Sequence, residues 1–201
     1  MTKNIAITPN DTKYIPLTQQ RFCCTPTCVQ MIMLRHNIPL VPAELMGAKM
    51  GLIVPKDELQ YFWNAKTGSK PKAGYGTQIG KKEFNLNSVL RDLKIPLEMT
   101  PILVDKFENF NHFMSYVSAL DQSKKDILVC YDWGTLFNKD CHNGHVCVLD
   151  KIDLKKNEVR IIDPEYKAPK WRIVQLVKLF EAMKFHGNKN MAGFWEFEPI
   201  K

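Results

Sequence analysis

Apolar positions follow helical spacing in the first half of the chain and fall into short β-branched runs in the second half. Val29, Ile32, Met33 and His36 recur every three or four residues, which predicts a helix from about residue 25 to 36. Pro26 suits the first turn of this helix, because an N–H there would have no helical acceptor. Similar patterns predict further helices after Pro42, after Pro55, at 87–94, at 107–120 and at 171–185.

Strands are predicted mainly after residue 95, at 97–104, 127–131, 145–152, 159–162 and 193–198. The turn-forming residues 153–158 join two of these strands, so the pattern favours an antiparallel hairpin. Helices first and strands later indicate an α+β protein, with a helical lobe, an antiparallel sheet lobe and a cleft between them. We expect one domain over residues 1–201, with residues 1–22 as an extended N-terminal arm.

The 201 residues are 45% hydrophobic and contain no Pro/Gly/Ser-rich linker, which agrees with one domain that has its own core. No apolar stretch approaches the length of a membrane span, and no apolar h-region follows the first residues. We therefore expect a cytoplasmic protein without a membrane partner, although secretion without a signal peptide would leave no pattern to read.

The formal charge of +7 is concentrated in a lysine-rich loop. This loop is interpreted either as a solvated segment or as a basic surface for an acidic partner or substrate. Its Gly-containing part, residues 67–80, is a candidate lid over a cleft. No nucleic-acid-binding motif accompanies the charge, so nucleic acid is not an expected partner. The lysines of the loop, with no acidic residue among them, are Lys66, Lys70, Lys72, Lys81 and Lys82.

One cysteine at the start of the first predicted helix is a candidate catalytic nucleophile. A thiol reacts as thiolate, and a helix N-terminus together with an adjacent imidazolium lowers its pKa. Cys24 has the first of these by position, and His145, about 120 residues later, could supply the second. Asp163 would orient the His145 ring from the neighbouring strand of the hairpin. The backbone N–H of Cys24 and a side-chain amide, from Gln19 or Gln20, could stabilise an oxyanion.

These residues resemble the papain-like cysteine peptidases of the bacteriocin-processing, double-glycine leader family and their stand-alone relatives. The resemblance implies a papain-like fold, a Cys-His-Asp triad and a Gln oxyanion donor, with no cofactor or metal. It implies cleavage or transfer of an amide bond in a peptide or protein, since relatives include peptidases, deamidases and acyltransferases. The matching positions are Gln19, Cys24, Pro26, Thr27, Met31, Gly144, His145, Asp163 and Pro164.

Two positions depart from the family pattern and keep alternatives open. Thr25 stands where the family has Gly, and Gln19 lies five residues before Cys24 instead of six. A non-catalytic papain-like binding module is therefore the second hypothesis. Cys23 is the alternative nucleophile, although Pro26 then falls out of the family position.

A third hypothesis is a zinc site. Cys141, His142, His145 and Cys147 are four metal-ligating side chains within seven residues. Closed zinc sites usually combine two separated ligand pairs, so this compact run is a weaker pattern than the thiol constellation. The chain has six cysteines, and without an export signal we expect them to be free thiols. The oligomeric state is not predicted by any of these patterns.

Overall fold

A computed structural model of the chain describes residues 3–5, 9–67 and 75–200. The helices are α1 (Cys24–Arg35), α2 (Ala43–Lys49), α3 (Leu86–Asp92), α4 (Phe110–Asp121), α5 (Trp133–Phe137) and α6 (Leu176–His186). The strands are β1 (Lys3–Ile5), β2 (Ile53–Val54), β3 (Lys66–Thr67), β4 (Leu97–Leu103), β5 (Asp126–Asp132), β6 (Gly144–Asp153), β7 (Glu158–Ile162), β8 (Trp171–Gln175) and β9 (Gly193–Pro199). Short 3₁₀ turns span Lys56–Tyr61, Lys82–Phe84, Val104–Lys106 and Asn188–Asn190.

The described strands form one large antiparallel sheet and one small parallel pair. The large sheet has seven strands in the order β1-β8-β7-β6-β5-β9-β4, and β2 pairs with β3. The predicted hairpin is present as β6 and β7, with Asp153 opposite Glu158. An α+β protein with an antiparallel sheet is thus confirmed, and the hairpin places the ends of β6 and β7 beside each other.

Helices cover both faces of this sheet, because its central strands are apolar on both sides. In β5, Leu128 and Cys130 belong to the core that α1, α2 and α3 complete, whereas Ile127, Val129 and Tyr131 belong to the core under α4, α5 and α6. Every residue of β5 is buried. The first core therefore combines both halves of the chain, whereas the second is built from residues after 101.

One predicted helix, at 171–185, is wrong in its first part. Residues 171–175 form strand β8, which pairs with β7 on one side and β1 on the other, and only then does α6 begin. The β-branched residues Ile173 and Val174 suit a strand, and the ladder satisfies their backbone groups. The helix predicted after Pro55 is a 3₁₀ turn, and α5 was not predicted.

The N-terminal arm lies along the body of the protein. Its Tyr14 side chain is buried, and β1 adds a strand to the edge of the sheet. Residues 68–74 of the predicted lid lie outside the described residues, while residues 75–80 are described and contact the body. None of the helices in the described part of the chain has the length and apolar character that a membrane span requires.

Candidate active site

The thiol of Cys24 lies at the N-terminal end of α1. Cys24 is the first helical residue, Cys23 is the N-cap, and its side chain makes no capping hydrogen bond. The first N–H groups of a helix have no acceptor within the helix, so they carry partial positive charge toward the thiol. A turn just before the helix directs the chain into α1, and Phe22 in this turn has a left-handed backbone conformation at φ 65°. Cys24 is partly exposed.

His145 and Asp163 form the second part of the site. The Nε2 atom of His145 lies 2.8 Å from Oδ1 of Asp163, and both side chains are buried. His145 is the second residue of β6, and Asp163 directly follows β7. Val148 pairs with Ile162, so continuing that register by one residue places Asp163 opposite Cys147. His145 therefore reaches Asp163 diagonally across the ladder.

Several groups hold Asp163 in its ionised form. The backbone N–H of Glu165 donates to its Oδ1 atom at 2.9 Å, and Nε of Arg172 lies 3.3 Å from Oδ2. The Arg172 guanidinium is itself fixed over the Phe137 ring, 4.2 Å from the centroid. Burial would raise the pKa of Asp163, but the charge and hydrogen bond of His145, the Glu165 N–H and Arg172 outweigh it and lower that pKa. The carboxylate can therefore stabilise a protonated imidazole.

The pKa shifts of Cys24 and His145 favour a thiolate–imidazolium pair. Burial alone would raise the pKa of Cys24, but hydrogen bonding and the charge of His145 lower it below the ordinary value of 9.0, helped by the Val146 backbone. Burial alone would lower the pKa of His145, but the charge of Asp163 raises it well above 6.5. Because Nε2 faces Asp163, the remaining ring nitrogen, Nδ1, is the one that serves Cys24.

The other cysteines in the site region have the opposite shift. Burial raises the pKa of Cys23 to about 12 and that of Cys147 to about 11. Cys28 and Cys130 are buried, and their pKa values are raised by that burial. Cys24 is the thiol whose surroundings favour the nucleophilic form, whereas its neighbour Cys23 is fully buried.

Both candidate oxyanion amides are engaged outside the cleft. The Nε2 atom of Gln19 donates to Oε2 of Glu165 at 2.7 Å, and the Gln19 backbone N–H donates to Pro164 O at 2.8 Å. The amide of Gln20 donates to Tyr61 O at 3.1 Å. The structure thus ties Gln19 to the segment that carries Asp163, and neither Gln19 nor Gln20 is among the residues that line the cavity at Cys24.

A cavity of about 390 Å³ opens at Cys24 and His145. Thr25, which replaces the expected Gly, has a buried side chain, and the Thr77 hydroxyl donates to its Oγ1 atom at 3.4 Å. This contact joins the start of α1 to the segment after the lysine-rich loop. Gln78, from the predicted lid segment 67–80, also lines the cavity, as do His186 and Lys189, which the sequence did not indicate. No local motif marks His186 or Lys189, because only the tertiary fold brings them to the cleft.

The structure brings together different metal-ligating residues from the four that the zinc hypothesis named. Among the described residues, a cluster of metal-ligating atoms within 4.8 Å of one another consists of His145, Cys147 and Asp163. Cys141 is exposed and Nδ1 of His142 lies 3.0 Å from Asp132, so the two residues do not join that cluster. Metal binding requires a thiolate, whereas burial raises the pKa of Cys147 to about 11. The cluster is better described as the His–Asp pair with a buried thiol beside it.

No family model matches this sequence, and no curated protein matches it either. The functional inference therefore depends on the site itself, which is a thiol, an imidazole and a carboxylate in series at a cleft.

Proposed function

We propose that the protein is a papain-like thiol enzyme that cleaves or transfers an amide bond in a peptide or protein substrate. Cys24 is the nucleophile, His145 is the acid–base group and Asp163 orients the ring. The observation that carries the proposal is geometric: Cys24 and His145 line one cavity, and Nε2 of His145 lies 2.8 Å from Asp163. The lowered pKa of Cys24 and the raised pKa of His145 agree with it. That combination favours a nucleophilic sulfur next to a proton donor.

The chemistry follows from which groups hold protons. The Cys24 thiolate forms a bond to the substrate carbonyl carbon, and the helix N–H groups stabilise the resulting oxyanion. The C–N bond then breaks while His145 Nδ1 gives its proton to the leaving amine, which leaves a thioester on Cys24. The neutral imidazole next takes a proton from water, which attacks the thioester and releases the carboxylic acid and Cys24. In acyl transfer an amine replaces water, and in deamidation the leaving amine is ammonia.

Asp163 contributes orientation and charge in each step. Its hydrogen bond to Nε2 fixes the tautomer in which Nδ1 faces the sulfur, and its charge stabilises the imidazolium. One N–H of the Gln19 amide is bonded to Glu165, and Gln19 is not among the residues that line the cavity. We therefore assign the oxyanion to the helix N-terminus and give Gln19 a secondary role.

Reaction with iodoacetamide separates an enzyme from a non-catalytic binding module. At pH 6 a thiol with the ordinary pKa of 9.0 is ionised to about one part in a thousand. We expect alkylation at pH 6, followed by peptide mass spectrometry, to modify Cys24 first. His145→Ala should slow that reaction by up to about 1000-fold, because the thiol then loses the imidazolium that offsets its burial.

Acylation gives the second measurement. With p-nitrophenyl acetate, the wild-type protein should gain the mass of one acetyl group at Cys24 and release p-nitrophenolate in a burst. Cys24→Ala should abolish the burst, while Cys23→Ala is the matched control and should keep at least about a tenth of it. If the six thiols react slowly and equally, or if Cys23→Ala alone removes the burst, the assignment is overturned.

A further inference from the structure

The cleft beside Cys24 has two facing walls. One wall is the segment Tyr75–Lys81, and the other is the 3₁₀ turn Asn188–Asn190 with His186 before it. The two segments touch at Gly80, since a Cβ atom there would lie 3.2 Å from Lys189 O. Both segments therefore border the cavity of about 390 Å³ that opens at Cys24.

Among the described residues, the lysines that line this cavity have no acidic residue beside them in the lining. Its lining includes Lys81 and Lys189, and none of the described residues that line it is Asp or Glu. Both lysines are exposed, and within the described part of the chain neither forms an ion pair with a carboxylate. Glu83 follows Lys81 closely in sequence but does not line the cavity. Asp163 and Asp132 lie behind His145 and His186, so the lysines are the charged side chains that a bound substrate meets at the cavity surface.

His186 gives the cleft a neutral polar group between the lysines and His145. Its ring packs on the residue before His145, because a Cβ atom on Gly144 would lie 2.7 Å from the ring. Burial lowers the pKa of His186, against the opposing charge of Asp132, so the imidazole is uncharged at neutral pH. An uncharged imidazole can hydrogen-bond a substrate without adding to the positive charge. The positive charge comes from the two lysines, because the charge of a His145 imidazolium is offset by the Cys24 thiolate and by Asp163.

We propose that this cleft selects acidic peptide substrates, with an Asp or Glu side chain close to the scissile bond held by Lys81 and Lys189. The inference rests on the thiol enzyme proposed above and names its substrate class. Two ammonium groups at a solvated cleft edge can bind a substrate carboxylate. Within the described residues neither lysine is paired with a carboxylate, so no existing ion pair has to break. The attraction should weaken as salt screens the exposed lysines.

Two alkylating reagents of similar size test the charge of the cleft directly. Iodoacetate is an anion and iodoacetamide is neutral, so the ratio of their rates at Cys24 reports the local electrostatic potential. The exposed Cys141 of the same chain provides the reference. We expect the ratio at Cys24 to exceed that at Cys141 by about five- to tenfold at low salt and to fall as NaCl is raised to about 0.5 M.

The matched variants have the same net charge. Lys81→Gln/Lys189→Gln removes both cleft lysines, whereas Lys82→Gln/Lys184→Gln removes two exposed lysines that do not line the cavity. The first pair should lower the iodoacetate/iodoacetamide ratio at Cys24 by about threefold or more, and the second pair should leave it within about 1.5-fold. Peptidyl chloromethyl ketones that differ only in Glu or Gln beside the reactive carbonyl should show the same lysine-dependent preference. Melting curves of each variant would verify that it is folded.

The outcomes separate the two proposals. Fast alkylation of Cys24 with a ratio that depends on the cleft lysines supports both of them. Fast alkylation with equal ratios in the two double variants, or with no preference for the Glu reagent, overturns the substrate class and leaves the thiol enzyme intact. Slow alkylation of Cys24 by both reagents overturns the thiol enzyme and the substrate class with it.

Discussion

Asp126→Asn should measure how firmly the end of α1 is anchored opposite the reactive thiol. Asp126 is the first residue of β5, and its side chain is 1% exposed. It accepts hydrogen bonds from the Tyr14 hydroxyl, at 2.5 Å, and from Arg35, and its Oδ2 lies 2.6 Å from Nε2 of His36. One carboxylate thereby joins the N-terminal arm, the C-terminal end of α1 and the central sheet.

The expected loss follows from the burial of these partners. Removing one member of a buried charge pair costs about 3–5 kcal/mol. Arg35 and His36 are 23% and 24% exposed, so water recovers part of that cost, and we expect a loss of about 2–4 kcal/mol in the free energy of unfolding. For a domain of about 200 residues this lowers Tm by about 4–16 °C. Asparagine has almost the same shape, so the loss reports charge and hydrogen bonding more than packing.

Urea and thermal unfolding provide the assay, with Asp92→Asn as the control. Asp92 is 63% exposed and lies 3.9 Å from Lys49, so its substitution should change stability by less than about 0.5 kcal/mol. Because α1 extends for 12 residues, Asp126 lies about 18 Å from the thiol end, and alkylation of Cys24 in folded protein should change by less than about twofold. A loss below about 1 kcal/mol, or one equal to the control, would refute the anchoring role.

Two further predictions concern the site. Acylation of Cys24 by p-nitrophenyl acetate should slow as the pH falls, because acid protonates a thiolate whose pKa lies below 9.0. His145→Gln should move this acid limb of the pH–rate profile to higher pH, and an unchanged acid limb would contradict the ion pair. Gln19→Ala should lower acylation by less than about tenfold, because Gln19 does not line the cavity, whereas loss of an oxyanion donor costs about 100- to 1000-fold. Gln20→Ala is the control, and a loss of about 100-fold for Gln19→Ala alone would show that Gln19 is the oxyanion donor.

The sequence predicted those elements whose own residues determine them. The apolar spacing around Val29 and Ile32 gave α1 within one residue at each end, because one face of that helix must be buried. The hairpin of β6 and β7 was predicted because β-branched runs flank a turn-forming segment. The hairpin in turn explains why His145 and Asp163, 18 residues apart, meet across two adjacent strands.

What the sequence missed depends on contacts between distant segments. Residues 171–175 have helical spacing, yet pairing with β7 and β1 makes them a strand. The bond from the Gln19 amide to Glu165, a partner 146 residues away, was not predicted, and the role of Gln19 as oxyanion donor stays a prediction. His186 and Lys189 have no motif around them, so their place in the cleft follows only from how α6 and the turn after it pack against Gly144 and Gly80.

Adjacent thiols at the start of α1 show how much of the chemistry depends on these tertiary contacts. Cys23 and Cys24 share a sequence context and a helix terminus, so local effects on their pKa values are similar. Their pKa values nevertheless move in opposite directions, since burial dominates at Cys23 whereas His145 reaches Cys24. His145 in turn keeps its proton because Asp163 is ionised beside it. The lowered pKa of Cys24 therefore depends on the β6–β7 hairpin at least as much as on the helix that carries the thiol.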